Sequence, residues 1–188
     1  MNCIHNFFST FQKTIMVKIG LQIKAFLESV TNLIPEEIQE FRWHLKIKCT
    51  QCGEIDPKLQ YVTLSEEQPL KGGRGQANYI SKCKLCSHQN SLDIKEESIV
   101  SYKIEDNNKF KTICVFDCRG LEPVDFEPGD GWKAQGYKQD EEEDNGSVTS
   151  TIFSDIDLSD KEWADYDEVS NESTMISEFE CNFVVVKD

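Results

Sequence analysis

Two Cys-x2-Cys pairs are the residues of this chain whose types and spacing best suit chemistry. The stretch "KIKCTQCGEI" at 46–55 carries Cys49 and Cys52, and "KCKLCSHQN" at 82–90 carries Cys83 and Cys86. Cysteines two apart can turn both thiolates toward one point through a tight turn, and Gly53 can take the left-handed backbone needed after Cys52. Zinc prefers four soft or borderline ligands in a tetrahedron, at about 2.3 Å to sulfur. Thirty residues separate the pairs, more than a compact zinc ribbon uses. A strand, a glycine-rich loop and a second strand fill that gap, so the two turns can still meet. Four thiolates leave no open coordination position, which predicts a structural metal rather than a hydrolytic one. Such an ion supplies on the order of 10 kcal/mol of apparent binding energy.

Other readings of the same thiols are weighed against this one. Four buried cysteines without metal are the plainest. A thioredoxin-like dithiol needs its Cys-x2-Cys at a helix start, where the dipole lowers a thiol pKa, and no helix is predicted after either pair. Thiolates that pass zinc or copper(I) to or from a chaperone are a further reading.

The remaining candidates carry less. The eight cysteines lie at 3, 49, 52, 83, 86, 114, 118 and 181. Cys114 and Cys118 share a strand face by parity but lie too far apart for an easy disulfide, so they are expected in the core. Cys181 alternates with Phe179, Phe183 and Val185, again a core pattern. Cys3 is expected to be free. His88 follows Cys86 closely, but the cysteines already complete a shell, and His44 falls on the polar face of its strand. "LKGGRGQAN" at 70–78 lacks the spacing of a phosphate loop, and its Arg74 is expected to meet a carboxylate. "RGLEPVDFEPGDGW" at 119–132 reads as a loop with Arg119, Glu122 and Asp125 but no nucleophile or histidine. No active site is built from it.

The elements that must position the thiols read as strands. Residues 17–27 place Val17, Ile19, Leu21, Ile23 and Ala25 on one face, and 41–48 alternate Phe41, Trp43, Leu45 and Ile47 with Arg42, His44, Lys46 and Lys48. Further strands are predicted at 60–64, 78–82, 91–94, 98–103, 110–117 and 178–186. "TNLIPEEIQE" reads as a turn or one short helix. Without a sustained helical period anywhere, the predicted fold class is all-β, sandwich- or barrel-like.

The chain has 188 residues and a formal net charge of −14, from 34 acidic and 20 basic side chains. Residues 139–180 hold 15 of the acids against Lys161 alone, so one stretch supplies the whole imbalance. An acidic chain repels phosphate backbones and anionic lipid, which argues against nucleic acid and membrane as partners. No apolar run is long enough for a transmembrane helix. Residues 1–15 lack the features of a secretory or mitochondrial leader and are read as a disordered extension. The thiol usage favours a reducing compartment, the cytoplasm or also the nucleus.

Residues 16–188 are read as a single β domain. A weak internal echo pairs "FRWHLKIKC" (41–49) with "FKTICVFDC" (110–118), and "YISKC" (79–83) with "SEFEC" (177–181). It suggests two related halves, near 16–104 and 105–188, with only the first keeping both cysteine pairs. Residues 136–151 are expected to form an acidic disordered loop. The next stretch, "IFSDIDLSDKEWADYDE", is expected to be an arm that buries Phe153, Ile156, Leu158, Trp163 and Tyr166 on the body, the alternative being a motif that docks a basic partner.

Taken together, "LQIKAFLESVTNL", "FRWHLKIKCTQCGE", "LKGGRGQAN", "KCKLC", "FKTICVFDCRGLEPVDFEP" and "FSDIDL…EWADYDE" resemble the eukaryotic family of CXXC motif-containing zinc-binding proteins, from Met16 to the end. "RGLEPVDF" and "W-x-DYDE" make the resemblance specific. It implies an all-β, pseudo-twofold body of two related halves, one holding a zinc ion on Cys49, Cys52, Cys83 and Cys86. The residues before Met16 and the enlarged acidic loop near 139–150 depart from the family pattern. The resemblance supplies no reaction. The expected function is therefore a monomeric, non-enzymatic zinc protein that engages another protein, with metal handling as the alternative and thiol oxidoreduction behind both.

Overall fold

A computed structural model describes residues 16–70, 75–139 and 146–187. Cys3, Arg74 and the acids at 140–144 lie outside the described residues. Among those described the chain forms antiparallel strands and no α-helix. They are β1 (Met16–Glu28), β2 (Val30–Pro35), β3 (Trp43–Cys49), β4 (Gln60–Val62), β5 (Gln68–Pro69), β6 (Gln76–Ala77), β7 (Tyr79–Lys82), β8 (Gln89–Lys95), β9 (Lys111–Arg119), β10 (Leu121–Glu127), β11 (Trp132–Gln139), β12 (Gly146–Ile156), β13 (Trp163–Asp167) and β14 (Glu172–Val185). The fold class is all-β, as the alternation predicts.

The main sheet has six strands in the order β13-β14-β1-β9-β8-β7. Two three-stranded sheets, β10-β3-β4 and β12-β11-β2, complete the body, and β5 pairs with β6. β1 is the long central strand, and its residues Ile19, Leu21, Ile23, Ala25 and Leu27 are all buried on one face. Val17, grouped with them by pattern, is exposed because the strand has run past the core at that point. Trp43 is the hub of the interior. Its ring lies edge-on to Phe41 at 4.9 Å and to Trp132 at 6.4 Å, and it also meets Phe116 and Phe126. Aromatic side chains from several strands thus fill the space where the sheets face each other.

The six-stranded sheet takes β1, β7 and β8 from residues 16–104 and β9, β13 and β14 from 105–188. The proposed halves are interleaved in one sheet, and the pseudo-twofold is not confirmed. Several local expectations are corrected. Of residues 31–40, the turn holds for the acidic run 36–40, but 31–35 belong to a strand, with Val30, Thr31 and Leu33 buried. Left-handed Ser29 and Asn32 break its pattern. Residues 98–103 are not a strand: a 3-10 turn spans Glu96–Ser98, and only an isolated bridge joins Leu33 to Tyr102. The supposed loop at 119–132 contains β10, whose Pro123 and register shift before Asp125 disguise it. The ends of the supposed acidic loop, 136–139 and 146–151, belong to β11 and β12.

The acidic arm is built into the body, through the end of β12 and through β13. Phe153, Ile156 and Leu158 are buried, and Trp163 stacks edge-on to Phe153 at 5.1 Å, whereas Tyr166 stays 50% exposed. Fully buried Asp167 fixes this arrangement. Its carboxylate accepts from the hydroxyls of Thr149 and Thr151 and from the amides of Val169 and Ser170. Desolvation raises its pKa, but those four donors outweigh it and bring it down to about 2. A depressed carboxyl stabilises the fold above its unfolded pKa, and that contribution is lost as pH falls from about 4 through about 2. Asp167→Asn is expected to lower stability by about 2 kcal/mol at neutral pH, because its amide NH2 turns a donor toward donors that then lack an acceptor. The variant should also flatten the acid limb of the unfolding curve between those two pH values. Thermal melts across that range check both.

Candidate metal centre

Each cysteine pair closes a strand and turns back on itself in the same way. Cys49 is the last residue of β3, and Cys83 follows β7 directly. In the first turn the Cys49 amide donates to the Glu54 carbonyl and the Gly53 amide to the Cys49 carbonyl, both at 2.8 Å. In the second the Cys83 amide donates to the His88 carbonyl and the Ser87 amide to the Cys83 carbonyl, both at 2.9 Å. The residue after each second cysteine is left-handed, Gly53 at φ 80° and Ser87 at φ 61°. Gly53 answers the sequence expectation. Ser87 was missed, although its place after Cys86 copies that of Gly53 after Cys52.

The two turns belong to different sheets. β3 lies in the middle of β10-β3-β4, while β7 and β8 form the edge hairpin of the six-stranded sheet. They meet where the chain passes from one sheet to the other, at Arg119-Gly120-Leu121 between β9 and β10. The Gly120 carbonyl accepts from the Thr50 amide at 3.0 Å, inside the first turn. Gly120 has φ 72°, and a Cβ there would lie 2.6 Å from Asn90 Oδ1 and 2.8 Å from His88 Nε2, beside the second turn. Only glycine fits this crossing. Gly120 belongs to the "RGLEPVDF" motif, but nothing local to that motif reports that it packs between the two cysteine turns.

The four sulfurs converge. Sγ of Cys49 lies 3.7 Å from that of Cys86, and Sγ of Cys52 lies 3.5 Å from that of Cys83, with all four within 4.8 Å of one another. A tetrahedron with arms of about 2.3 Å has edges of about 3.8 Å, so this set can hold one zinc ion without moving its strands. Among the described residues it is the only such group of metal-binding side chains. Cys49 is buried and Cys83 half-buried, while Cys52 and Cys86 are exposed. The Cys86 amide, and then the Leu85 amide and the neighbouring thiols, bring Cys83 down to about 7. At Cys52 the Glu54 amide lowers the pKa, but desolvation and the three other sulfurs outweigh it and push the thiol up to about 12. Crowded thiols of this kind resist holding four negative charges until a cation sits among them.

The other candidates are not brought to the centre. Cys114 and Cys118 are buried core thiols, pushed up by desolvation first. Cys181 is half-buried against the core. His44 lies beside Gly129, and His88 beside Gly120, neither as part of the sulfur cluster.

Comparison with known proteins decides the family. The family described as CXXC motif containing zinc binding protein, eukaryotic, matches residues 20–184. The chain belongs to this family. Among its relatives, the CXXC motif containing zinc binding protein of Bos taurus is 52% identical over 169 residues, covering 90% of this chain and 99% of the relative. That of Homo sapiens is 50% identical over the same length. The crystal structure of C1orf123 matches with a TM-score of 0.80 at 49% identity, covering 90% of this chain and 99% of that one. A hypothetical protein from Plasmodium falciparum shares the fold, with a TM-score of 0.73 at 23% identity. The family's zinc-binding description and the four-sulfur cluster agree, and zinc is the metal this centre suits.

In the CXXC family fold, Gly120 is the residue that lets both cysteine turns rest on one corner. Gly120→Ala is expected to cost about 3 kcal/mol, from a left-handed alanine and from the displaced Asn90 and His88 side chains. Gly53→Ala meets nothing within 4 Å and should cost only about 1 kcal/mol. Denaturant melts of the two variants give the comparison.

Proposed function

We propose that Cys49, Cys52, Cys83 and Cys86 ligate a structural zinc ion, and that the protein is a non-enzymatic interaction module engaging another protein. The observation that carries this reading is the closed set of four sulfurs joining two sheets. A zinc ion bound there has no vacant position for substrate or water. It supplies cross-linking: the ion would tie β3 to the β7–β8 hairpin. No α-helix follows either cysteine pair, which speaks against dithiol redox chemistry of the helix-start kind. The acidic balance favours a protein partner over nucleic acid or an anionic membrane. A monomer in the cytoplasm, and also in the nucleus, fits the reduced thiols.

Metal handling is the second reading. It is favoured by the exposure of Cys52 and Cys86, which puts two of the four sulfurs within reach of another protein's ligands.

Native mass spectrometry of the full chain and of Cys83→Ser separates these readings. One zinc per chain is expected in the wild type. In the variant the zinc is lost and the melting midpoint falls by about 10 °C or more, as several kcal/mol of metal-linked stability disappear. A wild type that surrenders its ion to a chelator within minutes while remaining folded would overturn the structural role and favour metal handling. Turnover of a generic ester, phosphate or peptide substrate, abolished by one side-chain change, would overturn the non-enzymatic part.

A further inference from the structure

Among the described residues the body does not close along the free edges of β10 and β14. β14 pairs with β13 only from Glu172 to Ile176, so from Ser177 to Val185 it has β1 on one side and, among the described residues, no strand on the other. β10 is likewise an edge, with β3 as its only strand neighbour among the described residues. The two edges face each other. They touch at one end, where the Cys181 thiol donates to the Phe126 carbonyl at 3.7 Å, and splay apart at the other. The opening is a groove of about 350 Å³ lined by Ile19, Pro123, Val124, Asp125, Phe183 and Val185, among others.

The backbone polarity of this edge follows from the register. The Val186 amide donates to the Lys18 carbonyl, continuing a ladder in which Gly20 faces Val184 and Gln22 faces Asn182. In an antiparallel pair, hydrogen-bonded and non-hydrogen-bonded positions alternate. The amides and carbonyls of Cys181, Phe183 and Val185 therefore point away from β1, into the groove. Edge strands are commonly guarded by lysine, proline or bulges. β10 has two of these guards, Pro123 and its register shift. β14 has neither lysine nor proline from Ser177 to Val185, and its one guard, the register shift at left-handed Glu178, comes before the groove-facing Cys181, Phe183 and Val185, of which Val185 is 69% exposed.

We propose that this edge of β14 binds an extended, basic peptide segment of a partner protein, which adds as a further strand and lays alternate apolar side chains over Phe183, Val124 and Pro123. The proposal rests on the reading of the protein as an interaction module and names its surface. Strand addition draws affinity from main-chain hydrogen bonds and specificity from pockets under alternate side chains. Charge selects the occupant. Glu122 is held by Lys48 at 2.7 Å, so Asp125 is left as the acid facing the groove. On β14 itself Glu180 is held by Lys24 at 2.6 Å, which leaves Glu178 as its exposed acid, and Lys161 is the base that acts on Cys181. A second copy would bring the same acids, and the same net charge of −14, to face their like.

The test uses the full-length protein at physiological ionic strength and a fluorescein-labelled nonapeptide of alternating arginine and valine. Two further peptides are N-methylated at alternate residues, one in each register. Strand addition pairs only one edge of the peptide, so one N-methyl register should bind about tenfold more weakly while the other matches the parent. Amide exchange at Cys181, Phe183 and Val185 should slow when the parent peptide binds. Val185→Pro removes one groove-facing donor without touching the ladder to β1, and should weaken binding about tenfold. Asp125→Asn, which keeps an oxygen for the Phe126 amide, should also weaken it by removing the charge. Equal binding of both N-methyl peptides, or unchanged exchange at the three amides, overturns the proposal while leaving the zinc-dependent fold and interaction through another face standing. Protection that grows with protein concentration, without peptide and with a doubled mass, also overturns it and assigns the edge to a second copy.

Discussion

Everything in this structure depends on bringing four sulfurs from two separate sheets to one point. Cys49 and Cys52 hang from the middle strand of β10-β3-β4, and Cys83 and Cys86 from the edge hairpin of the six-stranded sheet. Neither pair alone encloses an ion. The geometry works because the chain turns the corner between the sheets at Gly120, which takes a hydrogen bond from one cysteine turn and packs against the other. The corner is covalent and the sulfur cluster is its chemical counterpart. Between them they fix the angle at which two sheets meet over the Trp43 cluster.

The contrast with the free edge of β10 is informative. There β10 and β14 also come from these two sheets, but among the described residues no ladder joins them, and a groove opens alongside Glu122–Asp125. Two β-sheets that meet along their edges can close by a continuous ladder, by a crosslink, or not at all. This fold has a crosslink along one edge and an opening along another. The arm around Asp167 belongs to a third boundary, where buried hydrogen bonds do the joining between β12 and β13.

Much of the cysteine centre was legible because thiol spacing reports its own chemistry, and β1 and β3 because one face is buried along β3 and along β1 from Ile19 on. Trp43, Leu45, Ile47 and Cys49 alternate inward without interruption. Elements were hidden where that regularity fails. In β10, Pro123 and a shifted register disturb the period, and in β2 left-handed Asn32 does the same. β12 and β13 leave much of their length to solvent, so acids and hydroxyls fill positions that a buried strand would give to valine. Burial of Phe153, Ile156 and Leu158 could be inferred from their apolar character, but the strand that carries Phe153 and Ile156 could not. The meeting of the cysteine turns on Gly120 is a long-range fact, and no local pattern reports it.

The two cysteine turns share a hydrogen-bond scheme yet differ at one residue. Gly53 adopts its left-handed backbone freely, whereas Ser87 carries a Cβ in the same region, at a cost of about 1 kcal/mol. The grip on the ion is therefore lopsided: one half of the clasp sits at rest, and the other is held shut against its own conformational preference. The Ser87 and Cys83 amide hydrogen bonds hold that second half, and a bound ion would add to them, so the β7–β8 hairpin is the part of the protein through which loss of the metal would first be felt.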